Sequence, residues 1–193
     1  MRRGFKTWAE NQSLRARRTC GIAPSSSLPA RTLAGKLNVD LFAVNEIPEL
    51  PATVVSQLLN KFGSNWSAAT IPVDDFHIIV FNPIHLPARQ ESDIMHELAH
   101  ILCGHTAETV RGPDVPFVLR VFNEEQEEEA KWLGGCLQVP RAALLWMVRR
   151  GYSSEAITEI FNASEEMVTY RRNITGIDKQ LLRSRRWMSA IQN

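Results

Sequence analysis

The sequence predicts an α+β fold: a small antiparallel sheet packed on a helix that carries the segment HELAH, followed by a C-terminal helical, helix-turn-helix-like segment. Three observations predict it. Ile94, Met95, Leu98, Ile101 and Leu102 recur at helical spacing around HELAH. The stretches WSAATIPV and DFHIIVFN, just upstream, read as two strands joined by a tight turn at Asp74-Asp75. After Pro140 the pattern changes to short helical segments. With 193 residues, 44% of them hydrophobic, and a net charge of +1, the chain is long enough for one globular unit with a small appendage. The division expected is a core over residues 1–140 and a helical extension, residues 141–193, packed on it.

Each element has a local reason. Residues 5–20 read as a helix whose basic residues form a solvated surface. SSSLPA (25–30) is a turn that leads into a helix ending near Leu37, and NVDLFAV (38–44) alternates in the manner of a strand. PATVVSQLLNKF (51–62) is an amphipathic helix opened by Pro51. His77 falls in the second strand of the hairpin and reads as a sheet residue; His85, in the loop after it, has no assigned role. The helix around HELAH contains no breaker from Gln90 to Cys103. Ser92 or an earlier start at Pro87 can open it, and Gly104 can stop it. The loop from Thr106 to Val121, with Gly112, Pro113 and Pro116, is long enough to border a cleft. Three helical segments end the chain: RAALLWMVRRG, SSEAITEIFNA and SEEMVTYRRNITG, with Ser164 as N-cap of the last.

HELAH, residues 96–100, carries the chemistry. Residues four apart share a helix face, so His96 and His100 can offer two imidazole nitrogens to one metal ion. Glu97 stands one position along and can act as general base on a water activated by zinc. A catalytic zinc needs a third protein ligand. The metzincin spacing requires Gly and His three and six residues after His100. Cys103 and Thr106 occupy those positions, which excludes that class.

The acidic run NEEQEEEAKWLGGCLQVP (123–140) offers the alternative, a glutamate on a second helix. Glu127, Ala130, Gly134 and Leu137 share one face, and small residues at 130 and 134 allow a close approach to the HELAH helix. That face selects Glu127, with Glu128 and Glu124 as alternatives. Glu129 projects from nearly the opposite side, beside Leu133, and most of the run is a solvated surface.

HELAH followed by ILCGH, then EEEAKWLGGCLQVP, resembles the ImmA/IrrE family of metallopeptidases, which typically read HELGH-LLxH and later E-x-x-A-N-x-F-A-x-x-L-L-x-P. HIIVFNPIHLPAR (77–89) resembles the strand and Asn-containing turn before the family's metal helix. RGFKTWAE and LPARTLAGKLNVDL resemble its opening, so the likeness covers most of residues 3–176. The resemblance implies His96, His100 and Glu127 as ligands and Glu97 as general base, and His105 matches an extra histidine that often follows the motif. This sequence departs from the pattern at Lys131, Leu133 and Gly134, where the family has Asn or Asp, Phe and Ala. Lysine cannot accept a hydrogen bond from a ligating histidine, as Asn or Asp could.

The reading that follows is a zinc-dependent endopeptidase. Two His and one Glu suit zinc and also admit manganese or iron. His105, Tyr152 and Tyr170 are chemically able to donate to an oxyanion. The resemblance implies a protein substrate, a helix-turn-helix repressor cut in a stress or mobile-element response. A catalytically silent relative that binds a protein partner is the main alternative; a DNA-binding regulator is the weaker one. Arg171 and Arg172 lie at the wrong end of the possible recognition helix, Glu165 and Glu166 at its start repel phosphate, and the chain lacks a basic excess. Cys20, Cys103 and Cys136 are odd in number and include no C-x-x-C pair, which suits a reducing cytoplasm. No apolar stretch reaches the roughly 18–20 residues of a membrane span, and no apolar region follows the basic N-terminus as in a secretory signal.

Overall fold

A computed structural model describes residues 1–63, 65–73, 76–105, 109–110, 119–120 and 123–183. The chain opens with α1 (Phe5–Thr19) and α2 (Ala30–Lys36), then β1 (Val39–Ala43) and a 3-10 turn, Val44–Glu46. α3 (Ala52–Ser56) runs directly into a π turn, Gln57–Lys61, where a single continuous α-helix was expected. β2 (Ala68–Val73) and β3 (Phe76–Phe81) precede the long α4 (Pro87–Cys103). A two-residue pair, β4 (Thr109–Val110) and β5 (Leu119–Arg120), falls in the expected long loop, whose remaining positions lie outside the described residues. α5 (Glu124–Gln138), α6 (Arg141–Arg149), α7 (Ser154–Phe161) and α8 (Glu165–Thr175) follow.

The three-stranded sheet is mixed, which corrects the expectation of an antiparallel one. Its order is β1-β3-β2. β2 and β3 pair antiparallel as a hairpin, with Thr70 opposite Ile79; the turn at Asp74-Asp75 lies outside the described residues. β1 pairs parallel with β3, Val39 opposite His77 through Ala43 opposite Phe81. The connection from β1 to β3 passes through α3 and β2, and a crossover of that length can deliver a parallel neighbour where a tight turn cannot. Alternation in the sequence reports which face is buried, not the direction of the partner strand.

One core gathers α1, α2, the sheet, α4 and α5: Phe5, Leu33, Ile79, Phe81, Met95, Leu98, Leu133 and Leu137 are all buried in it. A second core, with Val139, Leu144, Ile157, Phe161 and Val168, joins α6, α7 and α8. The first turns of α7 and α8 are capped by Ser153 and Ser164, whose hydroxyls accept from Ala156 N (3.2 Å) and Met167 N (3.1 Å).

Two arginines are fully buried, one of them, Arg17, against the expectation of a solvated basic face on α1. Arg17 follows Phe5, Ala9 and Ser13 at four-residue spacing, so it shares the buried face of α1. Its guanidinium donates to Leu137 O (2.8 Å) and Gln138 O (3.3 Å) at the end of α5. Arg171, from α8, donates to Val139 O (2.8 Å) and pairs with Glu10 of α1. Arg172 is engaged by Asp178 (2.8 Å) and Ser154 (3.0 Å). No helix among the described residues is long and apolar enough to cross a membrane.

Candidate metal centre

α4 sets the first half of the site. Pro87 occupies its first turn, where a missing N–H costs nothing, and Gly104 ends it in the left-handed conformation at φ 67°. Ile94, Met95, Leu98 and Ala99 face the core and fix the rotation of the helix. α5 sets the second half. The Asn123 side chain accepts from Glu125 N (3.1 Å) and Gln126 N (3.2 Å), capping the turn that carries Glu127. The helices cross closely at Gly134: a Cβ placed there would lie 3.3 Å from His96 Cα, His96 N and Met95 O.

This crossing brings His96, His100 and Glu127 together. His96 Nε2 lies 3.1 Å from Glu127 Oε2, His100 Nε2 lies 3.1 Å from His96 Nε2, and His100 Nε2 lies 3.4 Å from Glu127 Oε1. Tetrahedral bonds of about 2.0–2.1 Å place neighbouring ligand atoms about 3.3 Å apart, and the two histidine nitrogens, and each of them with one or other Glu127 oxygen, lie close to that separation. Two imidazole nitrogens and a carboxylate are also a donor set that a divalent metal accepts. His100 is buried, whereas the His96 and Glu127 side chains remain 32% and 28% exposed, so access is from their side.

Glu97 is buried beside them and accepts the Thr70 hydroxyl of β2 at 2.6 Å. A cleft of about 350 Å³ lined by Ser67, Ala68, Asp93, His96 and Glu97 runs between β2 and α4. His85 meets Asp93 at 3.1 Å and Arg89 reaches Ser67 at 3.2 Å, so the formerly unassigned His85 braces the cleft wall. His77 sits in the sheet opposite Val39 and Pro72.

None of the three chemically eligible oxyanion donors lines that cleft. Tyr152 packs on Trp146, and Tyr170 borders a neighbouring groove with Lys131, whose ammonium lies 5.5 Å from its ring. His105 lies behind the site: its Nδ1 is 3.0 Å from His100 Nδ1 and its Nε2 is 3.3 Å from Glu129 Oε2. Glu124, Glu125 and Glu128 are exposed, as a solvated surface requires. Glu129 is not. It is buried and held by Arg2 through the backbone N–H (2.9 Å), Nε (3.1 Å) and Nη2 (3.0 Å). Burial pushes its carboxyl up, but Arg2 and His105 outweigh that and leave it below the usual carboxylate range. Sequence reasoning missed this residue; an acidic position flanked by the buried Ala130 was the one available signal.

Cys103 stands with His105 and Glu129 in a second close group, whose carboxylate is already engaged by the Arg2 guanidinium. Burial, reinforced by Glu129, pushes the Cys103 thiol up to about 11. Cys136 is fully buried within α5, and burial pushes its thiol up strongly. Neither thiol belongs to the His96–His100–Glu127 group.

Residues 57–173 match the peptidase family model described as the IrrE N-terminal-like domain, a span that contains β2, β3, α4 and α5 and therefore the whole cluster. No curated protein was found that matches the sequence.

Proposed function

The chain belongs to the peptidase family described as the IrrE N-terminal-like domain, and from that premise we propose that it is a zinc-dependent endopeptidase. The observation that carries the reading is the convergence of His96, His100 and Glu127 donor atoms within 4.8 Å of one another, with Glu97 beside His96 in the adjoining cleft. His96, His100 and Glu127 would hold the ion. When bound, zinc supplies Lewis acidity, lowering the pKa of a water to about 7 and polarising the scissile carbonyl.

The rest falls to the chain's own side chains. Glu97 accepts a proton as the water oxygen bonds to the carbonyl carbon, then passes it to the leaving amine as the C–N bond breaks. The Thr70 hydroxyl fixes Glu97 Oε2, which holds the carboxylate in one orientation for both transfers. β2 is an edge of the three-stranded sheet and borders the cleft. An extended substrate can pair with that edge and be delivered along Ala68 toward His96 and Glu97. Pro72 has no N–H to donate, as an edge strand tolerates.

The family resemblance extends this to a substrate: a helix-turn-helix repressor, cut in a stress or mobile-element response. The buried position of Arg171 supports the peptidase over a DNA-binding role, because its guanidinium has no access to a phosphate.

The test uses purified chain offered zinc and a peptide library derived from helix-turn-helix proteins. About one zinc per chain, lost in Glu127→Ala, together with cleavage that Glu97→Gln abolishes while retaining zinc, supports the proposal. Zinc binding without any cleavage moves the reading to a silent protein-binding module, and the absence of any bound metal, even after zinc is offered, removes the peptidase altogether.

A further inference from the structure

With His100 Nε2 as a metal donor, the contacts of its other ring nitrogen favour one proton arrangement. His100 Nε2 faces His96 Nε2 at 3.1 Å and Glu127 Oε1 at 3.4 Å, so as a metal donor it presents its lone pair there. A neutral imidazole carries its proton on the other nitrogen, so His100 is protonated at Nδ1. That N–H lies 3.0 Å from His105 Nδ1, which therefore accepts and leaves its own proton on Nε2. His105 Nε2 in turn faces Glu129 Oε2 at 3.3 Å, an acceptor when ionised. Glu129 is fixed from behind by three donors of Arg2. The His105 and Glu129 side chains are only 6% and 4% exposed, so water does not substitute freely for either partner.

We propose that His105 and Glu129 form a positioning relay, anchored by Arg2, that holds His100 in the Nε2-donating tautomer and orientation. The proposal rests on the metal-site reading above and adds residues to it. Without Glu129, the His105 proton can move to Nδ1, where it opposes the Nδ1–H of His100 and turns that ring away from the metal. Two glutamates of one helix then serve the same histidine from opposite sides, Glu127 at Nε2 and Glu129 through Nδ1.

The experiment measures zinc dissociation constants by chelator competition on the full chain, with the imidazole nitrogens followed by long-range ¹H–¹⁵N spectra of the zinc-loaded protein. Glu129→Gln is expected to weaken zinc about 10–100-fold at unchanged stoichiometry, the scale on which outer partners of a ligand act, and to mix the His100 tautomers. His105→Gln, whose amide can accept from His100 and donate to Glu129, is expected to bind more tightly than His105→Leu, which fills similar volume without polar atoms. A Glu129→Gln constant within about twofold of the parent, or equal affinities for the two His105 variants, would overturn the relay and leave the metal site standing. Failure of the parent chain to bind zinc would remove the site and the relay together. Zinc loss in Glu127→Ala marks the ligand effect against which both are read.

Discussion

Replacing Gly134 with alanine tests whether the α4–α5 crossing sets the metal geometry. The added methyl would lie 3.3 Å from His96 Cα, His96 N and Met95 O. Favourable carbon contacts begin near 3.5–4.0 Å, so the shortfall is a few tenths of an ångström against backbone that cannot rotate aside. Overpacking of this kind costs about 1–3 kcal/mol, and the better helix propensity of alanine offsets about 1 kcal/mol. The net loss is about 0–2 kcal/mol, a fall in Tm of up to about 8 °C for a chain of this size. A few tenths of an ångström also exceeds the roughly ±0.2 Å within which metal–ligand distances are held. Zinc affinity, measured by chelator competition, should therefore drop about tenfold. Gly135→Ala is the internal comparison. Its methyl would press on Arg171 Cδ at 3.1 Å, on the α8 side, and should lower Tm while sparing zinc. A Gly134→Ala chain with higher Tm and unchanged zinc affinity would refute the reasoning, because only the helix propensity would then have acted.

Three further outcomes are expected. Thr70→Val removes the 2.6 Å hydrogen bond to Glu97 and should slow peptide cleavage about tenfold with zinc content unchanged, the rate being followed on a cleaved library peptide; an unaltered rate would show that this bond does not position the base. Glu10→Ala leaves the fully buried Arg171 guanidinium without its carboxylate. It should cost about 3 kcal/mol, or about 6–12 °C in a thermal melt, and a fall under about 2 °C would contradict the buried pairing. In native alkylation followed by peptide mapping, Cys136 should stay unmodified until the chain unfolds. Cys103 should react slowly at pH 8, where a thiol near 11 is about 0.1% thiolate, and faster as pH rises toward 11. A Cys103 rate already constant below about pH 9 would refute the raised thiol.

The HELAH helix was legible because its apolar residues repeat with one period and its stop is a glycine, and both signals are local. Glu127 was legible as well, since Ala130 and Gly134 mark the face of α5 that meets α4. Glu129 was not, although the same periodicity was available. At about 100° per residue it points some 200° from Glu127, which reads as solvent unless the chain after Gly104 is known to fold back beneath His100. The parallel pairing of β1 was hidden for a related reason: alternation fixes a strand's faces, and its neighbour is chosen by a connection that contains another strand. Arg17 reads as surface charge because arginine usually is, and nothing local in the sequence marks Arg171 as buried. Their burial depends on carbonyls contributed by a helix 120 and 32 residues away.

Those two arginines have a consequence for how the chain is made. The last carbonyls of α5 find their donors on α1, synthesised long before, and on α8, synthesised after. As the polypeptide leaves the ribosome, His96, His100 and Glu127 emerge while the far end of α5, the helix that carries Glu127, is still untied at Val139. That end closes only once residue 171 is out, so a nascent chain carries all three candidate ligands before the helix bearing one of them is tied at its end.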